Sequence, residues 1–201
     1  MTRLDEDDRA ALLGLARVSL ESFLIRGETI AVPGSLLSER PALAEPRASF
    51  VTIRRRDTAA LRGCRGETQA SRPLAESVAA MAVAAATDDS RFPPVTADEL
   101  PEVKLHVSAL TAMGPIDPND VRLGRHGLLV RRSGRSGLLL PQVPALYHMK
   151  SPRAFLEAVC RKAGLPEGAW VDPDTELFGF EAEGFAEAGD DERDEDEDQA
   201  S

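Results

Sequence analysis

Cysteine is scarce in this chain: Cys64 and Cys160 are the only two in 201 residues, and neither forms a Cys-x-x-Cys pair or joins a histidine cluster. That excludes a disulfide scaffold and the usual zinc frameworks, and it suits a reduced, cytoplasmic protein. The three histidines, His106, His126 and His148, form no spaced ligand pair, so neither a metal nor another cofactor is expected. Aromatic residues make up 4% of the chain, too few for a base-stacking platform. Roughly 18 consecutive apolar residues, enough to cross a membrane, occur nowhere, and Met1 to Arg9 is polar and acidic, unlike an export signal. A phosphate-binding GxxxxGK[ST] loop, a dinucleotide fingerprint and a GxSxG elbow are all absent, which removes the standard NTPase and hydrolase readings.

Charge is present but unevenly spread. The net charge is -10, yet residues 181–201 hold 11 acids and one base, leaving 23 acids and 23 bases before them. The body is balanced and lacks the basic footprint of a nucleic-acid binder, so no nucleic-acid partner is expected. The acidic stretch 181–201 has too little apolar surface to offset its ordering entropy and is expected to be a disordered appendage to a single domain, 1–180.

Within that domain, apolar residues recur at helical spacing from Asp5 to Arg26 (Leu12, Leu15, Ala16, Leu20, Phe23) and predict a helix covering a sheet. Residues 27–47, rich in Pro, Gly and Ser, predict a loop, and Ser49–Arg54 alternates as a strand. A turn at 57–60 returns the chain through a second strand, Leu61–Gly66. Ser71 is the expected cap of a helix reaching Ala86, followed by a Pro-broken loop and a strand at Val103–Leu110. Gly127–Arg132 and Gly137–Leu140 flank the hairpin turn Ser133–Ser136. Ser151, Pro152 and Gly164 punctuate a last helix that buries Cys160, and Thr175–Phe185 predicts one final strand. Strands and helices mixed without regular βαβ alternation indicate an α+β fold with a mixed or antiparallel sheet.

The most informative segment is Leu61-Arg62-Gly63-Cys64-Arg65-Gly66. Gly63 and Gly66 permit close backbone approach, the arginines can hold an anion, and Arg62 beside Cys64 would favour a nucleophilic thiolate. The same residues also fit a plain strand end with Cys64 as a small buried hydrophobe. Asp89 and Arg91 in the Pro-rich loop, Ser108 in the third strand and Gln142 after Pro141 are candidate companions, each with a local structural role as the alternative. Two functions stay open: a binding or adaptor module in which Arg62, Arg65 and Arg91 recognise an anionic small molecule or partner group, and an enzyme with Cys64 as nucleophile or covalent carrier, for which no base is visible.

The Leu-Arg-Gly-Cys-Arg-Gly segment after Phe50-Val51-Thr52, with Arg72-Pro73-Leu74, Asp89-Ser90-Arg91-Phe92-Pro93-Pro94, Leu140-Pro141-Gln142 and Lys162-Ala163-Gly164-Leu165 in order, resembles the AMMECR-type domain family from about Leu12 to Phe180. The resemblance implies an α+β domain of two packed parts with a cleft between them, the Leu61–Gly66 segment lying near it. It also implies a place as component A of the AmmeMemoRadiSam system, with a Memo-like protein and a radical S-adenosylmethionine protein as partners. Three departures stand out: Arg65 replaces the family's aliphatic residue, Ser90 its proline, and Tyr147–Lys150 its Gly-Trp-Asp.

Overall fold

The computed structural model describes residues 2–188 and divides into two compact units, one taking in residues up to Ala109 and again from Glu183, the other Leu110–Ala182. Each unit builds a four-stranded sheet with helices, the α+β architecture expected.

In the first unit, helix α1 (Glu6–Arg26) starts at a reciprocal cap. The Asp8 N–H donates to Asp5 Oδ1 at 2.7 Å, and the Asp5 N–H returns a bond to Asp8 Oδ2 at 3.3 Å. It stops at Gly27, whose φ of 71° is left-handed and whose N–H donates to the Phe23 carbonyl. Leu12, Leu15, Ala16 and Leu20 are buried as the spacing predicts, while Phe23 is half-buried.

The segment expected as a loop contains two short helices, α2 (Gly34–Glu39) and α3 (Pro41–Ala44), and Leu43 is wholly buried. Strands β1 (Ser49–Arg55) and β2 (Leu61–Gly66) pair antiparallel, with an irregularity at Ile53/Arg54. Helix α4 (Leu74–Thr87) is capped by Pro73, not Ser71. The Leu74 N–H donates to the Glu45 carbonyl at 3.0 Å, so the first turn needs no hydroxyl cap. Strand β3 (Val103–Leu110) follows a 3₁₀ turn at Ala97–Glu102. Val51, Ile53, Leu105 and Val107 face α1 and α4 in one core; alternation puts Phe50, Thr52, Cys64, His106 and Ser108 on the opposite face.

The second unit runs through β4 (Gly114–Pro115), β5 (Gly127–Arg132), β6 (Arg135–Leu139), α5 (Val143–Leu146), α6 (Pro152–Lys162) and β7 (Glu176–Phe180), its sheet ordered β4-β7-β5-β6. The β5–β6 turn is tighter than expected: Ser133 and Gly134 alone make it, both with positive φ, the pattern of a two-residue hairpin. Helix α6 is capped by Ser151, whose Oγ accepts the Ala154 N–H at 3.2 Å. It buries Cys160, and that burial pushes the Cys160 thiol pKa up.

The single final strand expected at Thr175–Phe185 is two strands. At Glu181 the chain is pinned by Thr111, which donates its N–H to the Glu181 carbonyl and accepts the Glu181 N–H on Oγ1, both at 2.8 Å. Beyond this point β8 (Ala182–Ala186) joins the first unit, whose sheet is ordered β2-β1-β3-β8. Residues 182–188 of the stretch expected to be a disordered appendage are therefore folded into the first unit. Glu183 pairs with the fully buried Arg47 at 3.0 Å, and Glu187 accepts from Arg17, Arg56 and the Leu105 N–H. Residues 189–201, the rest of that stretch, lie outside the described residues. Among the described residues no helix is long and apolar enough to cross a membrane.

Candidate functional site

Strand β2 is an edge strand of the first sheet, and its two glycines are there for packing. A Cβ on Gly63 would stand 2.2 Å from the carbonyl oxygen of Ala85 in α4, and one on Gly66 would stand 2.2 Å from the Phe50 ring. The edge is held against the end of α4 as closely as backbone allows.

Arg62 is an internal clamp. Its Nε donates to Glu99 Oε1 at 2.8 Å and its Nη2 to Glu99 Oε2 at 3.0 Å, while Nη1 and Nη2 donate to the carbonyls of Pro93 and Pro94 at 2.8 and 3.2 Å. Four donations occupy most of the guanidinium's five N–H groups. Glu99 reaches this position because Thr96 and Glu99 form a capping box on the 3₁₀ turn, with the Thr96 N–H donating to Glu99 Oε2 at 2.9 Å. The Arg62 guanidinium, helped by the Thr96 N–H, lowers the Glu99 carboxyl to about 2.

Asp89 anchors the centre of β2. Its Oδ2 accepts the Cys64 N–H at 2.8 Å, and its two oxygens accept Nε and Nη2 of Arg91 at 2.9 and 2.6 Å. The Arg91 guanidinium holds this 8%-exposed carboxyl far below the usual carboxylate range, and the Cys64 N–H adds to the effect. Arg91 also lies over the Phe92 ring, 5.5 Å from its centroid, and its side chain is 57% exposed.

Cys64 is half-buried, and its Sγ accepts from Thr52 Oγ1 at 3.3 Å. The strand register extends this contact into a row across three strands, with Cys64 opposite Thr52 and Thr52 opposite His106. The His106 ring rests on β8, where a Cβ on Gly184 would be 3.2 Å from Nε2. The Arg65 side chain is exposed and has no hydrogen-bond or ion-pair partner among the described residues.

The structure thus brings Arg62, Gly63, Cys64, Arg65, Gly66, Asp89 and Arg91 together around one strand. Ser108 is buried on β3 opposite Phe50, with β1 between it and β2, and Gln142 is exposed at the start of α5 in the second unit. Sequence reasoning passed over Glu99 and Thr52 as site residues. The Thr-x-x-Glu spacing from Thr96 was the available signal for the first, and the register of a β1–β2 hairpin for the second. Among the described residues no group of three or more His, Cys, Asp or Glu could hold a metal ion.

The carboxylates fix an acid response. Glu99 has a folded pKa below its ordinary value of 4.5, so its contribution to stability is present above pH 4.5 and is lost as pH falls through about 2. Urea midpoints are expected to fall between pH 6 and pH 3 in the native chain and to fall less in Glu99→Gln. An identical acid slope in the variant would contradict the clamp.

The AMMECR1 family pattern matches residues 13–185 of this chain. A protein of Thermococcus gammatolerans is 39% identical over 196 residues, covering 93% of this chain and 94% of that one. Protein MK0488 of Methanopyrus kandleri is 38% identical, covering 92% and 91%. The crystal structure of the uncharacterised protein PH0010 from Pyrococcus horikoshii is similar at a TM-score of 0.85 and 37% identity, over 92% of this chain and 94% of that one.

Proposed function

This chain belongs to the AMMECR1 family, and from that premise we propose that it is a cytoplasmic binding component working with a Memo-like protein and a radical S-adenosylmethionine protein, with β2 and its loop as the docking site. The observation that carries this reading is the pairing inside the site. Asp89 and Glu99, the carboxylates that touch the Leu61–Gly66 segment, are both held ionised by arginine, and the Cys64 thiol is engaged by a hydroxyl. A carboxylate with its pKa driven down is a poor general base near neutral pH, which argues against Cys64 as an activated nucleophile.

Recognition falls instead to Arg65, with Arg91 beside the Asp89 anchor. Both are exposed; the Arg65 guanidinium suits a carboxylate or phosphate on an anionic small molecule or partner surface, while the Arg91 fork is bound to Asp89 and adds positive charge nearby. Arg62 and the glycines serve this site by holding the strand in place. Isothermal titration of the Memo-like protein into wild type and Arg65→Glu tests the reading: the variant is expected to bind about tenfold or more weakly, since reversing an interface charge typically costs over 1 kcal/mol. Equal affinity of the two would refute Arg65 as the recognition residue.

A further inference from the structure

Helix α4 borders a second feature, independent of the β2 site. A groove of ≈ 530 Å³, in the range of ligand sites, is floored by Ala79, Ala80, Val83 and Ala84 and walled by the segment Thr29–Val32, which belongs to no helix or strand. Along that segment Ile30 and Val32 pack on the core while Thr29 and Ala31 are exposed, the alternation of a β-strand. Yet no backbone N–H or C=O from Thr29 to Val32 has a hydrogen-bond partner among the described residues. It is a strand in side-chain pattern without a neighbour.

A segment with a strand's side-chain alternation and an unpaired backbone, facing an alanine-rich helix across a groove, can take a peptide as an added strand, its backbone pairing with the segment and alternate side chains entering the groove. The charges select the peptide. Glu76 and Asp88, both exposed, mark the two ends of the groove, about 18 Å apart along the helix axis, a span that six extended residues cover. Among the described residues the Asp88 carboxylate is met by the hydroxyl of its neighbour Thr87 at 2.8 Å, and Arg72, the cation lining the wall, is taken up by Glu67 at 3.2 and 2.6 Å. Residues 189–201 of the chain itself carry eight acids and one base, the wrong sign for this groove.

We infer that the groove between α4 and Thr29–Val32 binds an extended peptide of a partner protein, apolar at alternate positions and carrying a lysine or arginine for Asp88. Asp88 is followed by Asp89, the anchor of Cys64, so an occupied groove ends one residue from the β2 site.

The test is retention of a fluorescent library of random six-residue peptides on the full chain. The expected result is enrichment of alternating apolar sequences with Lys or Arg at one end. Binding of the enriched peptides should weaken tenfold or more on N-methylation of their backbone amides, which leaves the protein untouched, and equally in Ala31→Pro, which deletes one donor of the segment. Asp88→Lys should switch the preferred end residue to Glu or Asp. Failure to retain any pool, or retention indifferent to both N-methylation and Ala31→Pro, would overturn the inference. So would binding that appears only after removal of residues 189–201, since the occupant would then be the chain's own tail.

Discussion

Gly63→Ala is expected to destabilise the first unit by about 3 kcal/mol, the upper part of the range for overpacking. The added methyl would stand 2.2 Å from the Ala85 carbonyl oxygen, a main-chain atom in the last turn of α4, so no rotamer change can relieve the contact. Either β2 moves out from the sheet edge or the end of α4 moves away. Both displacements reach Asp89, two residues past α4, and through it the Cys64 N–H. Thermal melting should show a loss of roughly 6 to 12 °C for a chain of this size. Gly66→Ala should cost less, because its added methyl meets the Phe50 side chain, which can turn. Equal and small effects of the two substitutions would contradict the close packing of β2 on α4.

Arg62→Ala is expected to cost about 2–3 kcal/mol, below the full penalty of a buried pair because the Arg62 and Glu99 side chains keep 13% and 21% of their exposure. The loss has three parts: the bidentate bond to Glu99, the two proline carbonyls, and the half-buried carboxylate left without its cation. Arg62→Lys should recover little of it, since an ammonium cannot span four acceptors in a fork. Urea denaturation of the two variants, with Glu99→Gln in Arg62→Ala as a relief of the stranded charge, gives the comparison. If Arg62→Ala melts like wild type, the guanidinium is not a clamp and becomes available to a ligand.

The α+β architecture was legible because its main elements carry local signals. The Ser151 cap, the Gly164 stop and the Leu12-Leu15-Ala16-Leu20 stripe all act within a few residues of where they appear. What stayed hidden depends on distant partners. Nothing near Ser71 tells that the first turn of α4 is satisfied by Glu45, and nothing in Thr175–Phe185 tells that Thr111 stops one strand at Glu181 and starts another in a different unit. The site shows the same division. Its location followed from the Leu61–Gly66 segment, but the sequence assigned both arginines flanking Cys64 to ligand or thiol chemistry. Which one is spent internally depends on Glu99 and the Pro93–Pro94 carbonyls reaching Arg62, while Arg65 sits on an exposed position of an edge strand. Arg65 stood out in the sequence as a charge where the resemblance implies an aliphatic side chain, and the structure leaves that side chain exposed.

Strand β2 is the surface proposed to meet the partner. The most direct test is to alkylate Cys64 in a Cys160→Ser background with and without saturating Memo-like protein. Cys64 and Arg65 lie on opposite faces of the edge strand, so a partner that wraps the β2 edge is expected to slow alkylation of the half-buried Cys64 about tenfold or more, with Arg65→Glu abolishing that protection at the same partner concentration. An alkylation rate unchanged by saturating partner would place the docking surface away from β2.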